Sequence, residues 1–275
     1  MTAALRGAVD GLRAGSREEA LPAIGELLDA LESGEVRAAR PDPEAPTGWR
    51  VEGWVKEGIL AAFAFGVETG FDAPPFAFRD RDTVPPVARL PPEVRVVPGG
   101  TAIRRGAHLG RKVVVMPPAY VNVGAHVGEG SMVDSHALVG SCAQIGRRVH
   151  LSAAAQVGGV LEPVGALPVI VEDDVFVGAG AGLFEGVLVR RGAVLAAGVV
   201  LTASSRIYDL ARERVLEARD GEPLIVPEGA VAVMGARPAR GDFAREHGLT
   251  LTTPLIVKYR DAGTDAKTAL EGVLR

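Results

Sequence analysis

Two side chains that can exchange protons lie close together in the segment SMVDSHALVGSCAQIGRRVHL, which runs from Ser131 to Leu151. Asp134 follows Val133 directly, and His136 comes two residues later. A carboxylate or an imidazole within hydrogen-bond reach of a reacting group can serve as a general base. Each residue also has a structural interpretation, because an aspartate at a turn accepts backbone amides and an exposed histidine is an ordinary polar side chain. The elements that position these residues decide between the two.

The other histidines raise the question of a metal. His108 and His126 are eighteen residues apart and are predicted to stack in successive turns of the repeat described below. His150 lies 24 residues after His126 and is therefore predicted on a different side of the repeat. Three imidazoles that met between subunits would form a zinc site. Because no further ligand cluster accompanies them, we predict no metal.

Aliphatic residues recur at every sixth position over much of the chain. The first run is unbroken and comprises Ile103, Leu109, Val115, Val121, Val127, Val133, Val139, Ile145, Leu151 and Val157. The second run comprises Val171, Val177, Leu183, Val189, Leu195 and Leu201. Fourteen residues separate Val157 from Val171, where six would keep the register. The extra residues are predicted to leave the repeat as a loop, where functional sites are often built.

A period of six predicts a parallel β-helix of triangular cross-section, with about six residues on each side and about eighteen in each coil. One aliphatic residue per side points to the axis, and the coils stack at the strand spacing of roughly 4.8 Å. The strands of a β-sandwich alternate with period two instead. Glycine after the inward residue, as at Gly128 and Gly178, is expected where a corner needs positive φ.

The residues before the repeat predict a small helical region. Ser16 and Glu19 form a capping box for a helix that Gly34 can end. A second helix is predicted over Gly53–Gly66, followed by an extended proline-rich connector over Pro74–Pro98. We therefore expect a mainly β protein of three parts: residues 1–96 as an N-terminal helical domain and linker, 97–235 as the β-helix, and 236–275 as a C-terminal extension.

Composition excludes several classes of function. The chain has 275 residues with a net charge of -4 and no basic run that would track phosphates, so no nucleic-acid partner is expected. No uncharged apolar stretch reaches eighteen residues, which predicts no membrane span. The single cysteine, Cys142, cannot pair within the chain. We expect a cytoplasmic protein.

Several motifs resemble those of the tetrahydrodipicolinate N-succinyltransferases, which are hexapeptide-repeat acyltransferases of lysine and diaminopimelate biosynthesis. They are MVDSHALVGSCAQIGRRVHLS, GGVLEP, SRIYD, LIVKYRD, LESGEVRAA and GWVKEGILAAFAF. The resemblance implies a left-handed β-helix and a homotrimer with acyl-CoA in the cleft between subunits. It also implies that an amino dicarboxylate, formed by hydration and opening of a cyclic imine, attacks the thioester of succinyl-CoA through its amine.

The resemblance also implies residue roles. Asp134 matches the position of the catalytic base and substrate-binding carboxylate, and Arg95 matches a substrate-binding arginine. The guanidinium would grip a substrate carboxylate. The small residues of the acyl-CoA channel are predicted at Gly178, Ala196 and Gly198. Their alternative interpretation is that they are ordinary corner residues. Arg206 is a candidate for contact with a phosphate of CoA.

The chain departs from the family at two places. The family has arginine, serine and glutamate where this chain has Gly180, Ala181 and Gly182, and threonine and tryptophan where it has Ser135 and His136. His136 is therefore a candidate to act as base in place of the lost glutamate.

These departures keep three alternatives open. The first is a related acyltransferase of specialised metabolism with a changed substrate or with acetyl-CoA as donor. The second is a non-catalytic trimeric paralogue. The third is a metal-dependent hydratase on the same β-helix.

Overall fold

The computed structural model describes residues 2–73, 76–219 and 221–261. The N-terminal region contains α1 (Thr2–Asp10), a 3-10 turn (Gly11–Ala14), α2 (Arg17–Ser33) and α3 (Gly53–Phe65). The predicted capping box of α2 is present, with the Ser16 hydroxyl accepting from the Glu19 amide and the Glu19 carboxylate accepting from the Ser16 amide. The helix ends at Gly34 in the left-handed conformation, with φ of 79°.

Two short antiparallel pairs of strands accompany the helices. They are β1 (Ala39–Pro41) with β2 (Trp49–Val51), and β3 (Glu68–Ala73) with β4 (Phe76–Arg81). The second pair corrects the prediction of an extended connector from Pro74 onward, because its first part forms one arm of a hairpin. Strand β4 contains aromatic residues, which favour strand, and Pro74 itself lies outside the described residues.

The repeat folds into three parallel sheets around one axis, as the period of six predicts. The first sheet contains β5 (Arg95–Val96), β8 (Val114–Val115), β11 (Met132–Val133), β14 (His150–Leu151), β17 (Phe176–Val177) and β20 (Val194–Leu195). The second contains β6 (Ala102–Ile103), β9 (Tyr120–Val121), β12 (Leu138–Val139), β15 (Gln156–Val157), β18 (Gly182–Leu183) and β21 (Val200–Leu201). The third contains β7 (His108–Leu109), β10 (His126–Val127), β13 (Gln144–Ile145), β16 (Ile170–Val171), β19 (Leu188–Val189) and β24 (Ile225–Val226).

The aliphatic residues at every sixth position form one continuous core along the axis. Val133, Ile145 and Leu183 are all fully buried in it. The segment between β15 and β16 leaves the coils as a loop, as predicted. After the last coil the chain forms β22 (Ile207–Asp209), β23 (Arg214–Leu216), β25 (Ala230–Pro238), α4 (Asp242–Glu246) and β26 (Thr250–Tyr259). Strand β25 pairs with β20 and so extends the first sheet.

The glycines after the inward residues correct one expectation. Positive φ occurs two residues further along each coil, for example at Gly130 and Gly180, and not at Gly128 or Gly178. A Cβ on Gly178 would lie 2.5 Å from the Ala196 carbonyl carbon. These glycines are therefore required because successive coils approach closely, and not because the backbone conformation excludes side chains.

The helical region packs, around Cys142, on the triangular prism that the three sheets form. The thiol is fully buried in a second core with Val123 and residues of the helices. Lys56 is buried in the same region, and its ammonium donates to the Ala166 carbonyl of the loop at 2.7 Å. Cys142 and Lys56 thus connect the helices with a corner of the prism and with the loop between β15 and β16. No helix among the described residues has the length and apolar character to cross a bilayer.

Cys142 should resist thiol reagents while the protein is folded. Burial raises the pKa of its thiol to about 12, and the charge of Lys56 opposes this only in part. With this pKa almost no thiolate is present at pH 8, and the thiolate is the form that reacts with thiol reagents. We expect no labelling of the native protein by Ellman's reagent at pH 8 and one equivalent per chain after denaturation in urea. Rapid labelling of the native protein would contradict this burial.

Candidate active site

One corner of the prism carries Asp134 in a column with other residues predicted from the sequence. The corner joins the first and second sheets, and the column contains the residues that follow the inward side chains of the first sheet. The Asp134 amide donates to the Leu151 carbonyl at 2.9 Å, and the Gly178 amide donates to the Leu195 carbonyl at 2.8 Å. The coil register thus aligns Met116, Asp134, Ser152, Gly178 and Ala196.

The Asp134 carboxylate is held from two directions. Its Oδ1 accepts from the Ser135 amide at 2.7 Å, and its Oδ2 lies 3.5 Å from Nε2 of His150. The Asp134 side chain is 27% exposed, whereas that of His150 is 11% exposed and packs edge-on against Phe176. The carboxylate is therefore positioned by the protein and still partly exposed, which are two properties that a general base needs.

Sequence reasoning missed His150 as a neighbour of Asp134. The spacing argument compares residues one whole coil, or eighteen positions, apart. It therefore pairs Asp134 with Ser152 and not with His150. His150 lies two positions before Ser152 on the same adjacent strand and reaches the carboxylate diagonally. A separation of sixteen, which is one coil less two residues, is the signal that would have found it.

Arg95 lies on the same sheet as Asp134. Strand β5 pairs with β8, which pairs with β11, and this register puts Arg95 in line with Met132 and His150 on the outer face. Two strand spacings across the sheet and two residues along it place the backbone of Arg95 roughly 12 Å from that of Asp134. The Arg95 side chain is exposed. On this sheet a guanidinium can bind a carboxylate of a ligand whose amine reaches the Asp134 carboxylate.

His136 occupies the apex of the same corner. Its φ of 62° is left-handed, its amide donates to the Pro118 carbonyl at 2.5 Å, and it is exposed. The Gln156 side-chain amide donates to the His136 carbonyl at 3.1 Å. Gln156, which sequence reasoning did not single out, thus supports the turn that bears Asp134 and His136.

An aromatic ring packs against the segment around Gly182, where the resemblance predicts polar residues. Gly182 is buried and pairs with Gln156 in the second sheet, and a Cβ built on Gly182 would lie 2.6 Å from the Phe184 ring. Gly180 is exposed and has φ of 66°. Glu185 accepts from the Ala203 amide of the next coil at 3.0 Å. A glutamate at position 182 would therefore require Phe184 to move.

The remaining predicted residues divide into two groups. Gly198 lies two residues after Ala196 at the Asp134 corner, and its amide donates to the Ala179 carbonyl at 2.9 Å. Arg206 lies outside the column, before β22, and pairs with Glu217 at 3.0 Å. Strand β22 is six strands from β11 along the sheet. The described ranges contain no group of three or more His, Cys, Asp or Glu able to hold a metal ion.

Two family models match the chain. One is described as the hexapeptide repeat of succinyl-transferase and matches residues 168–203. The other is described as the N-terminal region of tetrahydrodipicolinate N-succinyltransferase and matches residues 8–65. A solved structure from Campylobacter jejuni, described as a putative 2,3,4,5-tetrahydropyridine-2-carboxylate N-succinyltransferase, has a TM-score of 0.50 and 16% identity, covering 86% of this chain and 62% of that one. This likeness supports the left-handed β-helix fold.

Two relatives are similar over nearly the whole chain. The 2,3,4,5-tetrahydropyridine-2,6-dicarboxylate N-succinyltransferase of Idiomarina loihiensis is 44% identical over 264 residues, covering 92% of this chain and 88% of the relative. The protein of the same name from Aromatoleum aromaticum is 45% identical over 262 residues, covering 92% and 89%. With the fold and the Asp134 corner, these similarities show that the chain belongs to the tetrahydrodipicolinate N-succinyltransferase family.

Proposed function

We propose that this protein transfers the succinyl group of succinyl-CoA to the amine of ring-opened tetrahydropyridine-2,6-dicarboxylate, a step of lysine and diaminopimelate biosynthesis. The observation that carries the proposal is the position of Asp134, a half-buried carboxylate held by Ser135 and His150 in a column of small residues. The names of the relatives supply the acceptor and the succinyl group.

In this reaction the amine nitrogen attacks the thioester carbon, and the bond between carbon and sulfur breaks. Asp134 takes the proton that the amine loses, and the departing sulfur of CoA is protonated in turn. Arg95 binds a carboxylate of the acceptor, for which the planar guanidinium is well suited. The developing oxyanion is held by backbone amides, as in many acyl transfers.

The acyl-CoA is assigned to the groove beside the same corner. Gly178, Ala196 and Gly198 leave the backbone open to the pantetheine chain, and Arg206 at the far end of the sheet is the candidate for a CoA phosphate. The groove is completed by a neighbouring subunit in a homotrimer. Light scattering should therefore give close to three times the chain mass of 28.5 kDa. A monomer would contradict this arrangement.

The transfer is tested by mixing the protein with succinyl-CoA and the cyclic imine dicarboxylate. Free CoA is followed with a thiol reagent, and the succinylated product by mass spectrometry. We expect CoA release that depends on the acceptor, with an equal amount of product. The buried Cys142 leaves the reagent free to report CoA alone. No release with any acceptor at high protein concentration would favour the non-catalytic paralogue.

A second candidate function, transfer of a different acyl group or to a different amine, is favoured by one observation. Phe184 lies over Gly182 where the family has a glutamate, so the pocket wall contributed by this segment is apolar. The same assay with acetyl-CoA and with other amino dicarboxylates distinguishes the candidates. A higher kcat/KM for any of these pairs than for the succinyl pair would establish the changed specificity.

Replacing His136 by alanine tests whether this residue is a second base. Its side chain is exposed at a turn apex, whereas Asp134 is the group held toward the groove. We expect His136→Ala to lower the rate of transfer by less than about tenfold, because loss of a positioned base costs roughly 10²-fold or more. A loss of that larger size, with a changed pH profile, would make His136 the base.

A further inference from the structure

A second cleft lies on another corner of the prism. It encloses about 1230 Å³ between the helical region and the corner that joins the third sheet to the first. Its walls include Arg37, Trp49, His108, His126 and Arg147. Asp134 lies at the corner between the first and second sheets, so the two sites of one chain are separate. Nothing in the proposed reaction uses this cleft.

Arg37 is a cation without a matched partner. Its Nε is buried and has no hydrogen-bond acceptor among the residues that the structure describes. Burial, together with the like charge of Arg147, lowers the pKa of Arg37 to about 10. Asp173 opposes this, but its Oδ1 accepts from the Arg147 amide at 2.8 Å and its Oδ2 lies 4.0 Å from Arg148.

Two stacked imidazoles form the floor beside Arg37. The rings of His108 and His126 are 4.3 Å apart and nearly parallel. His108 donates through Nδ1 to the Glu32 carbonyl at 2.8 Å, while the buried Nδ1 of His126 has no partner among the described residues. Burial, reinforced by the charge of Arg37, lowers the pKa of both imidazoles. The site therefore combines a half-buried cation with two imidazole rings and a buried polar atom that has no partner among the described residues.

The carboxylates at this cleft are already engaged elsewhere. Glu172 accepts from Arg190 at 2.7 Å and from the Trp49 indole at 3.0 Å. Glu129 accepts from Arg111 at 3.2 Å. Among the described residues they therefore form no ion pair with Arg37 or Arg147, and only the charge of Asp173 offsets that of Arg37. A buried charge that no partner neutralises is costly, and an anionic ligand would remove that cost.

We propose that this cleft binds the carboxylate or phosphate group of a small metabolite. The guanidiniums of Arg37 and Arg147 supply paired donors that match the geometry of either oxyanion. The imidazole of His126 offers a further donor, and the indole of Trp49 provides an apolar wall for the rest of the molecule. The ligand is distinct from the acyl acceptor, which is assigned to Asp134 and Arg95.

Isothermal calorimetry of the full chain tests the proposal, with sodium succinate and sodium phosphate as separate probes and sodium chloride at equal ionic strength as the blank. We expect saturable binding of at least one oxyanion. Arg37→Gln should weaken it by about tenfold or more, the usual effect of losing a charged hydrogen bond. The matched control Arg111→Gln removes a more exposed arginine, already paired with Glu129, from the rim of the same cleft and should bind normally. The tighter probe identifies the class of oxyanion.

A thermal melt distinguishes loss of binding from loss of folding in the Arg37 variants. Without added anion, Arg37→Met should melt at the temperature of the wild type or above it, because the unmatched charge is removed. Saturating oxyanion should raise the melting temperature of the wild type but not of Arg37→Met. Absence of saturable heat with both oxyanions, equal affinity in Arg37→Gln, or a strongly lowered melting temperature for Arg37→Met would each overturn the proposal.

Discussion

Asp134→Asn is expected to lower the rate of succinyl transfer by roughly 10²- to 10⁴-fold, the usual contribution of a positioned general base. Asparagine has nearly the same volume and keeps a side-chain oxygen that can accept the hydrogen bond from the Ser135 amide, which is 2.7 Å long in the wild type. It cannot take the proton of the substrate amine. The melting temperature should therefore change little. The measurement is kcat with saturating succinyl-CoA, with a thermal melt of the same sample.

Asp29→Asn is the matched control for that variant. Asp29 carries an exposed carboxylate that pairs with Arg105 on the helical region, away from the Asp134 corner. It should leave both kcat and melting temperature nearly unchanged, since surface ion pairs contribute about 0–1 kcal/mol. If Asp134→Asn kept the turnover of the wild type, Asp134 would have no part in the proton transfer.

Gly178→Ala is expected to destabilise the protein, because the added methyl group would collide with the next coil. A Cβ at this position would lie 2.5 Å from the Ala196 carbonyl carbon and 2.7 Å from the Leu195 oxygen, both backbone atoms of the next coil. The two coils cannot move apart locally without breaking the hydrogen bonds between their strands. Overpacking of this kind costs about 1–3 kcal/mol, which lowers the melting temperature of a chain of this length by roughly 2–5 °C.

Gly165→Ala is the control for the added methyl group. Gly165 lies in the loop between β15 and β16, and a Cβ there would meet no atom within 4 Å. Its melting temperature should equal that of the wild type or exceed it slightly, because alanine restricts the unfolded chain. Equal melting temperatures for Gly178→Ala and the wild type would mean that the coils are not packed as closely as described.

The β-helix could be predicted from the sequence because its determinant is local and repeated. Each inward aliphatic residue, from Ile103 to Leu201, obeys the same period, so every coil supports the interpretation of its neighbours. The capping residues Ser16 and Gly34 were predictable for the same reason, since their partners lie within a few positions. Local rules that agree with the global fold are the ones that a single sequence reveals.

Contacts between distant segments could not be predicted in this way. The approach of His150 to Asp134 depends on the diagonal offset between neighbouring coils, which a count of whole coils overlooks. The cleft around Arg37 exists only because the helical region packs against the coil corner. The packing of the Phe184 ring over Gly182 depends on the direction of the Phe184 side chain, which the spacing of residues does not determine.

The most direct test is a crystal structure with CoA and an amino dicarboxylate bound. We predict the thioester end of CoA beside the column of Asp134, Gly178 and Ala196, in a groove completed by a neighbouring subunit. The acceptor nitrogen should lie about 2.6–3.2 Å from the Asp134 carboxylate, with an acceptor carboxylate on Arg95. CoA bound along another corner of the prism, with its sulfur remote from Asp134, would contradict the proposed site.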